Sequence, residues 1–386
     1  MKHTPVICFL SSEHPPFDKR VFDKEALSLS AAGYEVIHLC PGDGNSKTVD
    51  GVDIRTYVRD PGWRGRFFFL PRLYRLAADL NADCYHCNEV DSWFVGVMLR
   101  LRKRKRLVFD VHEHYPGMFA ERYFPALLQP LAAAAMRLSF RALTVCTDRI
   151  VLAKESLAAE FKGAEQKQVL ARNYPISFYL KSHSGVREPI PERGQNGVCV
   201  VHLGLMSRAR CWPELLEALA RTKAKEMRLR FIGTFNDGSR EEFNQRVVAL
   251  GLQHRVEVED WMAFADAYER LVSSDTGLVL LKPGKINHIN ALPHKMFDYM
   301  MAGLPVVAPS FAEEVSRIVR ESDCGLLVNS ADPVELAEVL DRLASDPSLR
   351  RRLGDNGRRA VLEKYNWEVE GARLTRMYDE LIGQVQ

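Results

Sequence analysis

Short apolar runs with strand character alternate with amphipathic stretches of helical period along most of the chain, and this alternation is the first guide to its fold. Residues 6–10 (Val-Ile-Cys-Phe-Leu) read as a strand, 19–32 as a helix and 35–40 as a second strand. A helix over 67–80, a strand over 83–87, a helix over 90–101, a strand over 107–111 and a helix over 127–143 continue the rhythm. Strand, helix and strand in that order build a parallel sheet covered on both faces, a doubly wound α/β domain. Over 182–197, Ser, Gly, Pro, Glu and Arg crowd together without periodicity, which marks a linker. The rhythm then restarts with strand 198–203, helix 213–223, strand 228–233, helix 240–250, strand 256–259, helix 264–272 and strand 276–281. The expected organisation is a first domain over 1–185, a second over 186–367, and a terminal segment over 368–386 whose helix exceeds what the second sheet needs and is expected to pack back on the first domain.

The length of 386 residues supports two cores rather than one. With 46% apolar and 27% charged residues the composition is that of an ordinary globular protein. No run approaches the roughly 18 apolar residues of a spanning helix, and the apolar run at the N-terminus is too short for a signal peptide, so a cytoplasmic protein is expected. Eight scattered cysteines lack the density of a disulfide framework, which fits a reducing compartment. Cys84-Tyr-His-Cys87 offers one pair of metal-ligand spacing but no second pair, and it alternates as a strand does, so it reads as structural.

The formal net charge of +3 is unevenly spread: residues 1–190 carry 27 Lys and Arg against 21 Asp and Glu, and residues 191–386 carry 26 against 29. Without a nucleic-acid-binding motif this near-neutral balance makes DNA or RNA an unlikely partner. Arg100–Arg106 holds six basic residues in seven, and Trp63–Arg75 interleaves aromatics with arginines. The pattern is a solvated face on one reading and a contact with an anionic membrane surface on the other, where it would suit a lipid-linked acceptor and a peripheral place on the inner face of a membrane.

Parallel sheets present loops and helix N-termini at their strand C-termini, where phosphates bind. The informative segment is Asn290-Ala-Leu-Pro-His-Lys-Met-Phe-Asp298, continuing to Ala308. Pro293 suits the start of a helix, and Gly303 and Pro305 end it before another strand. The free backbone N–H groups at that start, the helix dipole and Lys295 make a site for a diphosphate. Asp298, one turn further on, has a carboxylate able to accept both hydroxyls of a ribose, although a helix acid facing solvent is the plainer alternative.

This segment resembles the nucleotide-sugar signature of family 4 retaining glycosyltransferases. His14-Pro-Pro-Phe-Asp-Lys-Arg20 through Leu27 resembles that family's opening loop and helix, Asp110-Val-His-Glu-His-Tyr-Pro116 its mid-domain motif, and Tyr365-Asn-Trp367 the lead-in to its terminal helix. The resemblance spans nearly the whole chain and implies the GT-B fold, two Rossmann-like, doubly wound parallel-sheet domains facing a cleft. It places Asn290 and Asp298 where the family has two acids eight positions apart, the first near the donor sugar and the second on the ribose; Asn290 has no charge. In the loop from His202 to Trp212, Leu205 stands where the family has an arginine, Arg210 matches a second basic position, and Arg208 is a substitute for the first. His112 corresponds to the histidine that approaches the donor hydroxyls, with Glu113 and His114 as lesser candidates. Trp261 and Met262 fall in the loop that meets the base, and Glu257 and Glu259 before them are expected to face water.

The implied catalytic set is therefore His112, Arg210 and Asn290, and the donor-binding set is Arg208, Trp261, Met262, Pro293, His294, Lys295 and Asp298. No Asp-x-Asp motif occurs, so neither a metal nor another cofactor is expected beyond the nucleotide-sugar substrate. The resemblance implies retaining transfer of a hexosyl group from a UDP- or GDP-sugar to a saccharide or lipid-linked saccharide acceptor, in cell-surface polysaccharide or glycolipid assembly. The rivals are a sugar-nucleotide epimerase of the same architecture and a non-catalytic two-lobed sugar-nucleotide-binding protein.

Overall fold

A computed structural model describes residues 4–176 and 197–383. The linker expected at 182–197 lies outside the described residues apart from Gly197. The chain forms two compact units, one of residues up to Asn173 joined by Trp367 onward, the other Tyr174–Asn366.

The first unit holds eight strands: β1 (Val6–Leu10), β2 (Glu35–Pro41), β3 (Ser46–Val49), β4 (Val52–Tyr57), β5 (Cys84–Cys87), β6 (Arg106–Val111), β7 (Arg149–Leu152) and β8 (Gln168–Leu170). They lie in the order β3-β4-β2-β1-β5-β6-β7-β8, parallel throughout except where β3 returns antiparallel on β4. That edge hairpin was not expected. It turns at Asp50-Gly51, both with positive φ, the dipeptide suited to a two-residue hairpin loop. The second unit has β9 (Cys199–Leu203), β10 (Arg228–Ile232), β11 (Val256–Glu259), β12 (Thr276–Leu278), β13 (Val306–Pro309) and β14 (Gly325–Val328), all parallel in the order β11-β10-β9-β12-β13-β14.

The strands are apolar runs because helices cover both faces of each sheet. In the second unit successive residues enter different cores: Val200, Phe231, Leu278 and Val307 join Trp212 and Leu215 on one face, while Val201, Ile232, Val279 and Val306 join Met296, Phe297 and Tyr299 on the other. In the first unit Trp93 stacks on Phe109 at 3.9 Å, with Phe140 and Phe161 edge-on around them. All eight cysteines are free thiols. Cys84 and Cys87 lie buried on β5, and burial pushes both thiols up, away from the thiolate.

The helix expected at 19–32 departs from the simple pattern. Val21–Ala26 winds as a π-helix before Leu27–Ala31 continues as an α-helix. Asp23 N–H reaches Asp18 O and Glu25 N–H reaches Arg20 O, each five residues back. The wider turn coincides with a buried polar cluster. Arg20 donates from Nε and Nη2 to the two Asp110 oxygens at 2.8 and 2.7 Å, and from Nη1 to Ala171 O at 2.9 Å. Glu25 lies 3.0 Å from Arg20 Nη2. His86 Nε2 lies 3.6 Å from Glu25 Oε2, and its Nδ1 is 2.7 Å from the Tyr378 hydroxyl. The ligand atoms of Glu25, His86 and Asp110 lie within 4.8 Å of one another, but the Arg20 guanidinium already fills the cationic role that a metal ion would take there.

Tyr378 belongs to the terminal helix, which runs Trp367–Gly383. This helix is part of the first unit: Trp367 Nε1 donates to Ser28 Oγ at 2.8 Å, and buried Glu370 accepts from Arg172 at 3.1 Å.

Burial raises the Glu25 carboxyl well above the ordinary range. Asp110, which burial alone would raise, is held well below it by the Arg20 guanidinium and by its hydrogen bond with His112. Glu25 is thus the member that carries a proton, and its contribution to stability is complete in acid and is lost as pH rises from the ordinary carboxyl range through its raised folded value. Glu25→Gln, which keeps the neutral form, should match the parent near pH 4 and equal or exceed it at pH 8 in urea denaturation. Asp110→Asn strands the Arg20 charge and should cost about 3–5 kcal/mol at neutral pH in the same measurement.

Candidate active site

Two sets of polar groups gather at strand C-termini, one in each unit. In the second unit the loops after β9 and β10 meet through glycine. Gly204 has φ +92° and Gly233 φ +143°, and a Cβ on Gly233 would lie 2.2 Å from Gly204 O. Only glycine lets these two backbones pass, and a Cβ on Gly204 would touch the end of Lys295 at 4.0 Å. The loop continues through Arg208–Arg210, a single 3₁₀ turn, into the helix Trp212–Arg221.

The helix His294–Met301 starts directly after Pro293, whose extended backbone precedes the first turn and which itself donates no N–H. Tyr299 fixes this helix against the sheet: its buried hydroxyl accepts from Leu203 N–H at 2.8 Å and donates to Leu278 O at 3.2 Å. Gly277 makes room for the ring, since a Cβ there would come within 2.2 Å of it. Lys295, partly buried on the first turn, has Nζ 3.0 Å from His202 Nε2. Burial, and then the Arg210 charge, lower its pKa to about 7 against the opposing pull of Asp298.

The two candidate arginines are not equivalent. Arg208 forms an ion pair with Glu242 and lies 3.7 Å from Asp237, and it is half exposed. Arg210 makes no ion pair among the described residues, and burial lowers its pKa. A guanidinium withdrawn from water without a carboxylate is unfavourable unless an anion completes it. Arg208 is thus already engaged by carboxylates, whereas Arg210 keeps the capacity to meet an anion.

Asn290 ends the short helix Ile286–Ile289, four residues ahead of His294. Trp261 is 77% exposed in the loop after β11, and Met262 packs beside the core that contains Met296 and Phe297. The acids on β11 do not simply face water as expected. Glu257 pairs with Arg228 and Arg230 at 3.5 and 3.3 Å, and Glu259 with Arg230 and Arg270 at 3.3 and 3.0 Å. Acids two apart on an edge strand share one face, and the arginines of β10 lie alongside that face.

In the first unit His112 follows β6, its Nε2 hydrogen-bonded to Asp110 Oδ2, the same carboxylate that Arg20 grips. Its ring meets that of His14 edge-on at 4.9 Å. His14 Nδ1 is 2.6 Å from Glu89 Oε1, and Glu89 also accepts N–H bonds from Ser12, Glu13 and His14. Burial would raise the Glu89 carboxyl, but these bonds hold it at about 2, and they raise the pKa of His14. Glu113 and His114 are turned to other tasks: Glu113 pairs with Lys154 at 3.2 Å, and buried His114 meets Ser156 at 3.2 Å and Glu160 at 3.6 Å. The lesser candidates of the motif thus brace its loop. Sequence reasoning missed Arg20, Glu89, His202 and Tyr299 as parts of these sites. Of these, only Tyr299 lies on a helix whose start, at Pro293, the sequence marked.

Residues 20–166 match a sequence model of Glycosyltransferase Family 4, and residues 198–346 match one of Glycosyl transferases group 1. The chain belongs to glycosyltransferase family 4 and has the GT-B fold. It is 22% identical to an alpha-D-kanosaminyltransferase of Streptomyces kanamyceticus, over 76% of this chain and 84% of the relative. It is 36% identical to an MMP alpha-(1->4)-mannosyltransferase of Mycolicibacterium hassiacum over 88 residues, which are 23% of this chain and only 21% of that protein's length. Among solved structures it resembles Anabaena HepE in complex with UDP, at a TM-score of 0.71 and 15% identity, covering 99% of this chain and 100% of that one.

If Arg210 and Lys295 form an anion site, pyrophosphate should raise the melting temperature of the parent, a ligand at 100 times its Kd adding about 2.7 kcal/mol. Arg210→Ala and Lys295→Met should each remove most of that shift, and Arg208→Ala little of it. Equal loss in both arginine variants would contradict the inequivalence described above.

Proposed function

We propose that the chain is a retaining hexosyltransferase that takes a UDP- or GDP-sugar as donor and a saccharide or lipid-linked saccharide as acceptor, in the assembly of a cell-surface polysaccharide or glycolipid. The observation that carries this reading is Arg210, a partly buried guanidinium without an ion-pair partner among the described residues, beside Lys295 at a helix N-terminus and a glycine loop. In this reading the diphosphate lies on the His294–Met301 N-terminus between Arg210 and Lys295, which stabilise the charge that grows on it as the glycosidic bond breaks. Asp298 accepts the ribose hydroxyls, Asn290 faces the donor sugar, and Trp261 and Met262 border the base. Side-chain cations neutralise the leaving group, so no metal is required. His112, held through Nε2 by Asp110, is assigned to the donor hydroxyls. The departing diphosphate oxygen helps deprotonate the acceptor on the same face. Positioning and electrostatics supply the catalysis.

Incubation with UDP- and GDP-sugars and candidate acceptors, followed by NMR of the anomeric proton, tests this reading. It expects a product with the donor's anomeric configuration. Epimerised sugar without acceptor would favour the epimerase, and nucleotide binding without turnover the binding protein. Asp298→Ala should weaken binding of whichever nucleotide the parent binds by about 1.5–3 kcal/mol in calorimetry. Unchanged affinity would remove Asp298 from the ribose.

For the acceptor side we propose a peripheral cytoplasmic location against anionic lipid. Among the described residues no helix is long and apolar enough to cross a membrane. On the helix Gly62–Leu80, Trp63, Phe67 and Phe68 are 61%, 62% and 76% exposed, and Arg64 lies 5.4 Å from the Trp63 ring. Arg102, from the basic run, lies 5.6 Å from the Tyr74 ring of the same helix, which brings the two segments together. Arg100 and Arg106 pair with Asp148, so the free charge of the run resides in its middle. Each basic residue near such a surface contributes about 1 kcal/mol. Replacing Arg102, Lys103, Arg104 and Lys105 with Gln should reduce sedimentation with anionic liposomes at low salt and leave nucleotide affinity unchanged. A parent protein that ignores such liposomes would return the run to a solvated surface.

A further inference from the structure

His202 has no part in the reaction outlined above, yet it is the group on which Lys295 rests. It is fully buried on β9, with its ring 5.8 Å from that of Phe231. Nε2 lies 3.0 Å from Lys295 Nζ and 3.2 Å from Leu205 O, and Nδ1 is buried without a hydrogen-bond partner among the described residues. These contacts cannot all be satisfied in one protonation state. A charged Lys295 has only protons to offer, so Nε2 must present its lone pair, and the ring proton then sits on Nδ1 where no acceptor meets it. A proton on Nε2 satisfies Leu205 O, but it also points at Lys295, which fits only as a neutral amine. The charge of Lys295 and the place of the His202 proton are therefore a single variable.

The surroundings weight that variable toward the neutral amine in the empty site. Arg210 faces the pair from the loop after β9, Asp298 lies on the same helix as Lys295, the neutral Tyr299 phenol of that helix is bonded to Leu203 N–H, and His288 lies beside Arg210. Burial and the neighbouring cations keep His202 itself from charging. A diphosphate arriving between Arg210 and Lys295 reverses the balance, because its negative charge favours the ammonium.

We propose that His202 is a positioning residue of the diphosphate site: by turning its Nε2 lone pair to Lys295 it admits the proton that nucleotide binding draws from solvent. The proton taken up goes to Lys295 Nζ, and the His202 proton moves from Nε2 to Nδ1, so the ring stays neutral throughout. This inference rests on the nucleotide-binding reading given above.

Calorimetric titration with UDP and with GDP, in buffers of different ionisation enthalpy from pH 6 to 8.5, counts the protons exchanged. For a lysine titrating near 7 in the free protein, uptake should rise from about 0.1 at pH 6 to about 0.9 at pH 8. The phosphate's own ionisation near 6 is complete at the upper end. His202→Phe, which removes the acceptor, should move the uptake curve to lower pH and weaken binding at pH 8 by about threefold more than at pH 6. His202→Gln, which restores a side-chain acceptor, should return the curve toward that of the parent. A purely structural histidine would lower affinity equally at both pH values. Nucleotide binding without proton uptake at pH 8, or a His202→Phe curve identical to that of the parent, overturns the proposal and leaves the nucleotide site standing. If neither UDP nor GDP binds at any pH, the nucleotide-site reading fails and this inference with it.

Discussion

A guanidinium buried beneath a parallel sheet must be met by carboxylate, and the first unit is arranged to meet Arg20 with Asp110. The cost of removing both charges from water is recovered only through near-ideal geometry, which here means two parallel hydrogen bonds and a third to a backbone carbonyl. That requirement fixes where the π-helical turn begins, how β6 finishes and where the chain leaves β8 at Ala171. His112 inherits its orientation from the same carboxylate. The candidate catalytic loop is thus held by a pair whose members are 90 residues apart.

The second unit is arranged on the opposite principle. Arg208, Arg228, Arg230 and Arg270 have carboxylate partners, whereas the partly buried Arg210 has none among the described residues and Lys295 is partnered by a neutral imidazole. Uncompensated charge held by rigid glycine and tyrosine contacts is preorganised for an anion, whereas the ion-paired network around Arg20 in the first unit holds a side chain still. The two units share a sheet architecture and differ in what their strand ends do.

The central strands and their covering helices were legible because burial on both faces imposes a period and a length that survive in the sequence. The hairpin of β3 and β4 was passed over although Asp50-Gly51 signals it, because an edge strand with one wet face, Ser-Lys-Thr-Val, carries little apolar pattern. Asp298, Lys295 and Pro293 stood out because a helix start concentrates its chemistry within a few residues. Arg20, Glu89, His202 and Tyr299 did not, since each acts through a partner about 70 to 100 residues away. The arginines beside Glu257 and Glu259 were missed at shorter range, 11 to 29 residues away: alternation shows which face an acid takes and is silent on what the neighbouring strand and helix place there.

The helix Trp367–Gly383 completes a unit whose other residues were all made before the second unit began. During translation the partners of Tyr378 and Glu370, including His86 and Arg172, emerge nearly 200 residues or more ahead of them. The intervening 193 residues, Tyr174–Asn366, leave the ribosome in one continuous piece and have every internal contact available to fold first. The first unit must wait with a polar pocket and an apolar groove uncovered until the final helix arrives, which makes the nascent chain a client for chaperones at that stage and gives ribosome stalling or premature termination near residue 366 a disproportionate effect on the earlier unit.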